Sequence, residues 1–327
     1  IVAKQGVPSP EEAHWFIARS KADILACAQS VYVPVAMLDV LPALVPGEKY
    51  AITLVPEQSA ALRVLQHAGH EQACQISHVL GPYTGTALEP AAIRALMRAN
   101  GVPPGDPVIS LHWRAGEWPG YLEIRTESGR EIRSKKVYYN FLIPFFITQA
   151  SLQSMDFANE FADLAVGDAW SPKFEMLGQG HSVLVSRTSA MNEILKEMMD
   201  RGDLCLTGVA ADDAAAMHGH MIDFKKRGGY LRNRWRSMTG RKAPDYGLHP
   251  SPLGVGRILV EVVISSVFGV CRTGWARRVM EIIPEAIMGP VFNHLRLAWK
   301  SASKPAKRRG LGGLRMDVVT PAWRKPA

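Results

Sequence analysis

From residue 23 to residue 199 the chain alternates between segments with helical and with extended periodicity, and this alternation restricts the fold more than any other feature. Asp23–Ser30 and Val35–Leu44 carry helical spacing, and Ala51–Val55 reads as a strand. Gln58–Gln66 is helical, with Ala60, Ala61, Leu62 and Leu65 apolar, and Gly69 ends it. Gln75–Leu80 reads as a strand and Pro90–Ala99 as a helix stopped by Asn100-Gly101. Val108–Trp113, Tyr121–Thr126 and Arg130–Lys135 follow as strands, the last two joined by a Glu-Ser-Gly turn. Leu164–Val166 and Val183–Ser186 add strands, and Met191–Met199 a helix. Such alternation predicts an α/β fold in which helices cover a sheet, and the central hairpin makes that sheet mixed.

The last third changes character. Pro244–Pro252 is a linker rich in Pro, Gly and His, and Val255–Cys271 is apolar apart from Arg257, Glu261 and a few serines and glycines. Val279–Trp299 is a second apolar stretch, expected to be broken by Pro284 and Pro290. The expected organisation is an α/β domain over 1–243, a helical extension over 244–299 and a basic, disordered tail over 300–327. The core of the first stretch, Ile258 to Cys271, falls short of the ~20 residues that span a bilayer. Two readings stay open for this region: helices packed on the domain or on a partner subunit, and peripheral contact with a membrane through Trp275, Arg277, Arg278, Trp299 and the tail.

Net charge is +8, distributed unevenly. Residues 225–242 hold eight basic residues and no acidic one, and residues 300–315 hold six more without an acid. The first stretch is expected to be a solvated basic helix or a patch for an acidic partner; no recognisable nucleic-acid module accompanies it. Cys27, Cys74, Cys205 and Cys271 form no Cys-x-x-Cys pair, so neither a disulfide framework nor a zinc ribbon is expected, and reduced thiols fit a cytoplasmic chain. His67, His70, Cys74 and His78 are metal-compatible but straddle the break at Gly69, so no metal site is expected. His218, His220, Asp212, Asp213 and Asp223 read as helix-surface polar residues. Gly178-Gln-Gly180 lacks the third glycine of a dinucleotide fingerprint, and there is neither a P-loop nor a Gly-x-Ser-x-Gly elbow.

Four segments carry more specific information: Val55-Pro-Glu57-Gln-Ser, Gly81-Pro-Tyr-Thr84-Gly, Arg114-Ala-Gly116-Glu-Trp-Pro-Gly120, and the run Ser151 to Trp170 with Asp156-Phe157, Glu160, Ala162-Asp163 and Val166-Gly167-Asp168. Together they resemble the coenzyme F420 hydrogenase/dehydrogenase beta-subunit family over most of residues 1–240. The resemblance implies that Glu57, Thr84, Ser151 and Ser154 stand where the family carries the cysteines of an iron–sulfur cluster. Thiolates hold such clusters, so no 4Fe-4S cluster is expected here. It also implies that Ile1–Lys4 is an internal strand, and that an amino-terminal portion of the protein precedes it.

The family resemblance further implies a flavin, FAD. Arg114, Lys135 and Lys136 are the candidate phosphate contacts, Gly116 and Gly120 permit close backbone approach, and Asp156, Asn159, Asp163 and Asp168 are candidates for the ribose or ring edge. The expected function is a flavin-dependent oxidoreductase or electron-transfer subunit without the cluster, drawing on a redox partner such as ferredoxin or reduced coenzyme F420. The alternative is a non-catalytic, partner-binding or membrane-associated subunit that keeps the fold.

Overall fold

The computed structural model describes residues 1–6, 8–135, 140–176 and 180–319, with Glu175 described in its backbone only. Lys136 and most of Gly178-Gln-Gly180 therefore lie outside the described residues. The fold is α/β, as the alternation predicts. Its larger sheet has the order β3-β4-β8-β9, built from β3 (Tyr50–Thr53), β4 (Ile76–Pro82), β8 (Leu164–Asp168) and β9 (Ser182–Ser186). The first three strands are parallel and β9 is antiparallel to β8, so β9 makes this sheet mixed, and not the central hairpin as expected, which lies in a separate antiparallel sheet. Between β3 and β4 the chain crosses over through α2 (Pro56–His67), which starts with a proline whose missing N–H costs nothing in a first turn. Leu62 of α2 packs against Ile52, Leu54, Ile76 and Val79, with Met37 and Val40 closing the core from the other side. These last two come from a 3-10 segment, Met37–Ala43, where the periodicity predicts an ordinary helix; Pro42 lies inside it.

A second core forms under the antiparallel meander β5 (Val108–Ala115), β6 (Tyr121–Thr126) and β7 (Glu131–Lys135). Alternate residues Leu111, Trp113, Leu122, Ile124 and Ile132 face α3 (Ala91–Ala99), whose Ala92, Ile93, Ala95 and Leu96 are fully buried. The hairpin of β1 (Val2–Gln5) and β2 (Ala13–Phe16) meets the edge of β3: the Ile1 backbone nitrogen donates to the Ala51 carbonyl at 2.6 Å, and the Thr53 N–H donates to the Ile1 carbonyl at 2.9 Å. Ahead of β3 the chain makes a short helix, α1 (Lys21–Ala26), capped by Ser20.

After α4 (Gln149–Gln153) and α5 (Ser189–Asp200), helices account for most of the chain: α6 (Ala211–Met217), α7 (Gly219–Asp223), α8 (Gly229–Met238), α9 (Val255–Cys271), α10 (Gly274–Ile282) and α11 (Glu285–Arg308). Three expectations are corrected here. The basic stretch 225–242 is not a solvated helix, because Lys225, Arg227 and Asn233 are buried and the Arg232 side chain is 8% exposed. Pro290 does not break its segment; it sits inside α11, while Pro284 caps that helix. The tail is built into the fold as far as residue 319: α11 runs through Arg308, and β11 (Arg315–Val318) pairs antiparallel with β10 (Leu248–Ser251).

A π-helical turn, Phe224–Gly228, joins α7 to α8 and changes which side chains face inward. Asp223 lies between Arg227 and Arg257, each with an N···O distance of 2.8–2.9 Å. Glu261 accepts from Arg257 at 2.9 Å and from Arg232 at 2.6 Å. A Cβ on Gly228 would lie 2.8 Å from Glu261 Oε2, and one on Gly229 would lie 2.8 Å from the Ser154 carbonyl. Two consecutive glycines thus let this helix press on the signature segment and on α9 together.

A cleft at the carboxyl ends of the parallel strands

Thr53, Pro82 and Asp168 end the three parallel strands, and all three line one cleft. Crevices at the carboxyl edge of such sheets are where open α/β folds receive ligands, since side chains and backbone N–H groups there are not used by the sheet itself. The cleft has two adjoining recesses of about 390 and 330 Å3, which share Arg114, Asp168 and Ser182. The first is walled by Ser30, Tyr32, Tyr83 and Gly167; the second by Gly116, Trp118, Gly120 and His181.

At the junction of the two recesses Arg114 Nη1 donates to both carboxylate oxygens of Asp168, at 2.9 and 3.2 Å, and Arg114 Nε donates to the Pro119 carbonyl at 3.2 Å. The pair is partly open to solvent, with side chains 20% and 27% exposed. Tyr32 stands beside it; burial pushes its phenol pKa up against the pull of Arg114, so the hydroxyl stays protonated and able to donate. Trp118 lines the second recess and meets Trp170 at 4.9 Å between ring centroids, the two rings tilted by 38°. The cleft thus offers a cation, a carboxylate, a phenol and an indole within one depression.

Gly116 and Gly120 have φ of 74° and 80°, and this explains both residues without a ligand. A Cβ at Gly120 would lie 3.1 Å from the Arg114 Cα, and one at Gly116 would lie 2.7 Å from the Tyr121 ring. Their role is to fold the turn that aims Arg114 and Trp118 into the cleft. Asn159 and Asp163 line neither recess. Asn159, at φ 55°, donates to the Leu54 carbonyl at 2.7 Å and sits where a side chain on Gly81 would be. Asp163 accepts from the Val79 N–H at 2.7 Å and from Arg63 at 3.0 Å, which clamps the signature segment to β4 and α2. Lys135 is exposed at the end of β7, across from Tyr121, and does not line the cleft. Of the residues expected to contact a cofactor, tertiary structure therefore brings Arg114, Gly116, Gly120 and Asp168 together.

A buried polar region surrounds Lys225 beside the signature segment. Its Nζ donates to the Ser151 carbonyl at 2.8 Å, and burial pushes its pKa down to about 8 against the attraction of Glu57 and Asp156. Tyr246, whose pKa is raised chiefly by burial, lies beside Ser154, and the Glu57 charge raises it further. Ser151 and Ser154 thus lie beside Lys225 and Tyr246, and the charge of Glu57, nearly a hundred residues earlier, acts on both. Thr84 is tied to the same segment through its N–H, which donates to the Phe157 carbonyl at 2.9 Å. The Ser151 hydroxyl accepts from the Ala87 N–H at 2.9 Å, and the Ser154 hydroxyl donates to the Asp156 carbonyl at 3.1 Å. Burial, and then Glu160, pushes the Asp156 carboxyl up to about 6. Its Oδ2 accepts from the Glu160 N–H at 2.7 Å, while buried Oδ1 has no donor among the described residues.

His218 corrects another expectation. It is 4% exposed rather than on a helix surface, and packs against Tyr83 and Phe157 with centroid separations of 5.2 and 5.1 Å. Burial lowers its pKa, so it is neutral where it backs the Asp168 segment. Asp223, fully buried, departs from the same expectation. Sequence spacing gave no sign of Tyr32, Ser182, His218 or Lys225 as neighbours of these motifs, since none shares a local pattern with them.

Residues 47–212, half of the chain, match the family described as the carboxyl terminus of the coenzyme F420 hydrogenase/dehydrogenase beta subunit. Among solved structures, a chain of the xenon-derivatised F420-reducing NiFe hydrogenase complex from Methanosarcina barkeri is similar, with a TM-score of 0.54 and 18% identity over 74% of this chain and 82% of that one. No curated protein matches the sequence.

Proposed function

Since the chain belongs to the coenzyme F420 hydrogenase/dehydrogenase beta-subunit family, we propose that it is a flavin-dependent oxidoreductase or electron-transfer subunit that binds FAD in the cleft at the carboxyl edge of β3, β4 and β8 and works without an iron–sulfur cluster. The observation that carries this reading is the convergence of Arg114, Asp168, Tyr32 and Trp118 at the ends of the three parallel strands. The residues fit such a cofactor: Arg114 would pair with pyrophosphate oxygens, Asp168 would accept from a ribose or ring-edge donor, and the Trp118 indole would lie against the ring. When bound, a flavin supplies hydride and electron transfer that no side chain can supply. Tyr32 holds its proton at the cleft wall, and Arg114 orients Asp168 through the paired hydrogen bond.

The cluster is left out of this reading because the residues do not fit one. Glu57, Thr84, Ser151 and Ser154 offer a carboxylate and hydroxyls rather than thiolates, and the Lys225 ammonium lies among their segments. Electrons would then pass directly between the flavin and a redox partner such as ferredoxin or reduced coenzyme F420, with a partner subunit in reach. Titration of the full-length protein with FAD, followed by fluorescence quenching, tests the proposal. Saturable binding is expected, weakened roughly tenfold or more in Arg114→Ala, which loses about 1.5–3 kcal/mol of charge-assisted hydrogen bonding. Asp168→Ala is expected to weaken it as well, while thermal melts confirm that both variants fold. No saturable binding to the intact protein would favour the non-catalytic subunit instead.

A further inference from the structure

Helix α9 is inverted relative to an ordinary surface helix. Its two charged residues, Arg257 and Glu261, are 2% and 0% exposed, whereas Val255, Leu259, Val262, Val263, Val267 and Val270 are 44–72% exposed. Their spacing places all six on one face, where the other exposed positions are two glycines and Ser266. The next two helices also expose apolar side chains. Trp275, Val279 and Ile282 on α10 are 47–79% exposed, and Ile287, Val291 and Leu295 on α11 are 51–61% exposed. Packing holds α9 against both of them. A contiguous exposed apolar patch of more than a few hundred Å2 is rare on a protein that faces only water.

Charge identifies what covers it. Between Val255 and Arg308 there are three acids: Glu261 and Glu285 are buried, and Glu281 pairs with Arg98. Arg278, Lys300, Lys304 and Arg308 are exposed on the same helices. Outward-facing charge there is therefore positive throughout. A protein partner would bring about one hydrogen bond per 100–200 Å2 of interface, but the outer face of α9 offers only the Ser266 hydroxyl. Acyl chains need no hydrogen bonds, and anionic headgroups need bases. Among the described residues no helix is long and apolar enough to cross a membrane, so contact would be in the plane of the surface.

We propose that α9, with the apolar stripes of α10 and α11, docks on an anionic lipid bilayer surface, the side chains entering the headgroup–acyl boundary and the bases facing the lipid charge. This surface is independent of the cofactor reading. The test is sedimentation of the full-length protein with vesicles of phosphatidylcholine and phosphatidylglycerol at 7:3, and of phosphatidylcholine alone. Binding to the anionic vesicles is expected, with at least tenfold less to neutral ones, because each base near an anionic surface contributes about fivefold. Leu259→Asp/Val267→Asp, on the exposed face, should lower binding tenfold or more with an unchanged circular dichroism spectrum and melting temperature. The proposal is overturned if the wild type does not sediment with anionic vesicles, or if the double variant binds them equally. It is also overturned if sedimentation equilibrium shows a self-associating wild type that the variant makes monomeric without any vesicle binding, since the face would then join two copies of this chain.

Discussion

Replacing Glu261 with Gln removes one of the two carboxylates that balance three buried guanidiniums, those of Arg227, Arg232 and Arg257. The side chains of Glu261, Arg257 and Arg232 are 0%, 1% and 8% exposed, so water cannot take over the lost interaction. In the variant, Asp223 alone faces three cations, and one Arg N–H is turned toward an amide N–H. Breaking a buried pair by removing one partner costs about 3–5 kcal/mol, because the desolvation of the remaining charge is no longer offset. At about 2–4 °C per kcal/mol, that is a fall in melting temperature of roughly 6–20 °C. Glu281→Gln is the matched control: its partner Arg98 is 42% exposed, and such pairs contribute ~0–1 kcal/mol. Both variants would be followed by urea unfolding at pH 7 in low and high salt. The Glu261 effect should persist in high salt, where a surface pair is screened. If Glu261→Gln unfolds within 1 kcal/mol of the wild type, or in step with Glu281→Gln, residues 225–232 are solvated after all and the account of the basic stretch fails.

Asp156→Asn should alter how stability depends on pH. A carboxyl raised from 3.8 to about 6 by folding favours its protonated form, so the contribution it makes below pH 4 is lost as pH rises through 6. By pH 7 the penalty is at most about 3 kcal/mol, taking ~1.4 kcal/mol per pKa unit. Asn keeps an acceptor for the Glu160 N–H, so the variant should be the more stable at pH 7 and equal to the wild type near pH 4; parallel stability curves would rule this out. Anaerobic reconstitution with iron and sulfide should leave the purified protein without stoichiometric iron or the absorption of a cluster. Stoichiometric iron that disappears on mutation of Cys27 or Cys74 would contradict it.

Legible in the sequence alone were the α/β layering, the positions of the strands from residue 50 to residue 186 and the family, because period-2 and period-3.6 patterns and short motifs are local properties. It also marked Arg114, Gly116, Gly120 and Asp168. Packing in three dimensions sets the rest: Arg114 and Asp168, 54 residues apart, form one pair at the strand ends, and Asn159 and Asp163 serve the packing of the signature segment. The basic stretch shows the limit most plainly. A run of Lys and Arg without acids reads as solvated, since burying a charge is costly. Its compensating carboxylate, Glu261, lies on a different helix some thirty residues away, and the side that faces inward is set by a π-helical turn. The same carboxylate explains α9: by drawing the helix's charges inward it leaves the valines outside, an arrangement that hydrophobic periodicity alone assigns to the opposite face.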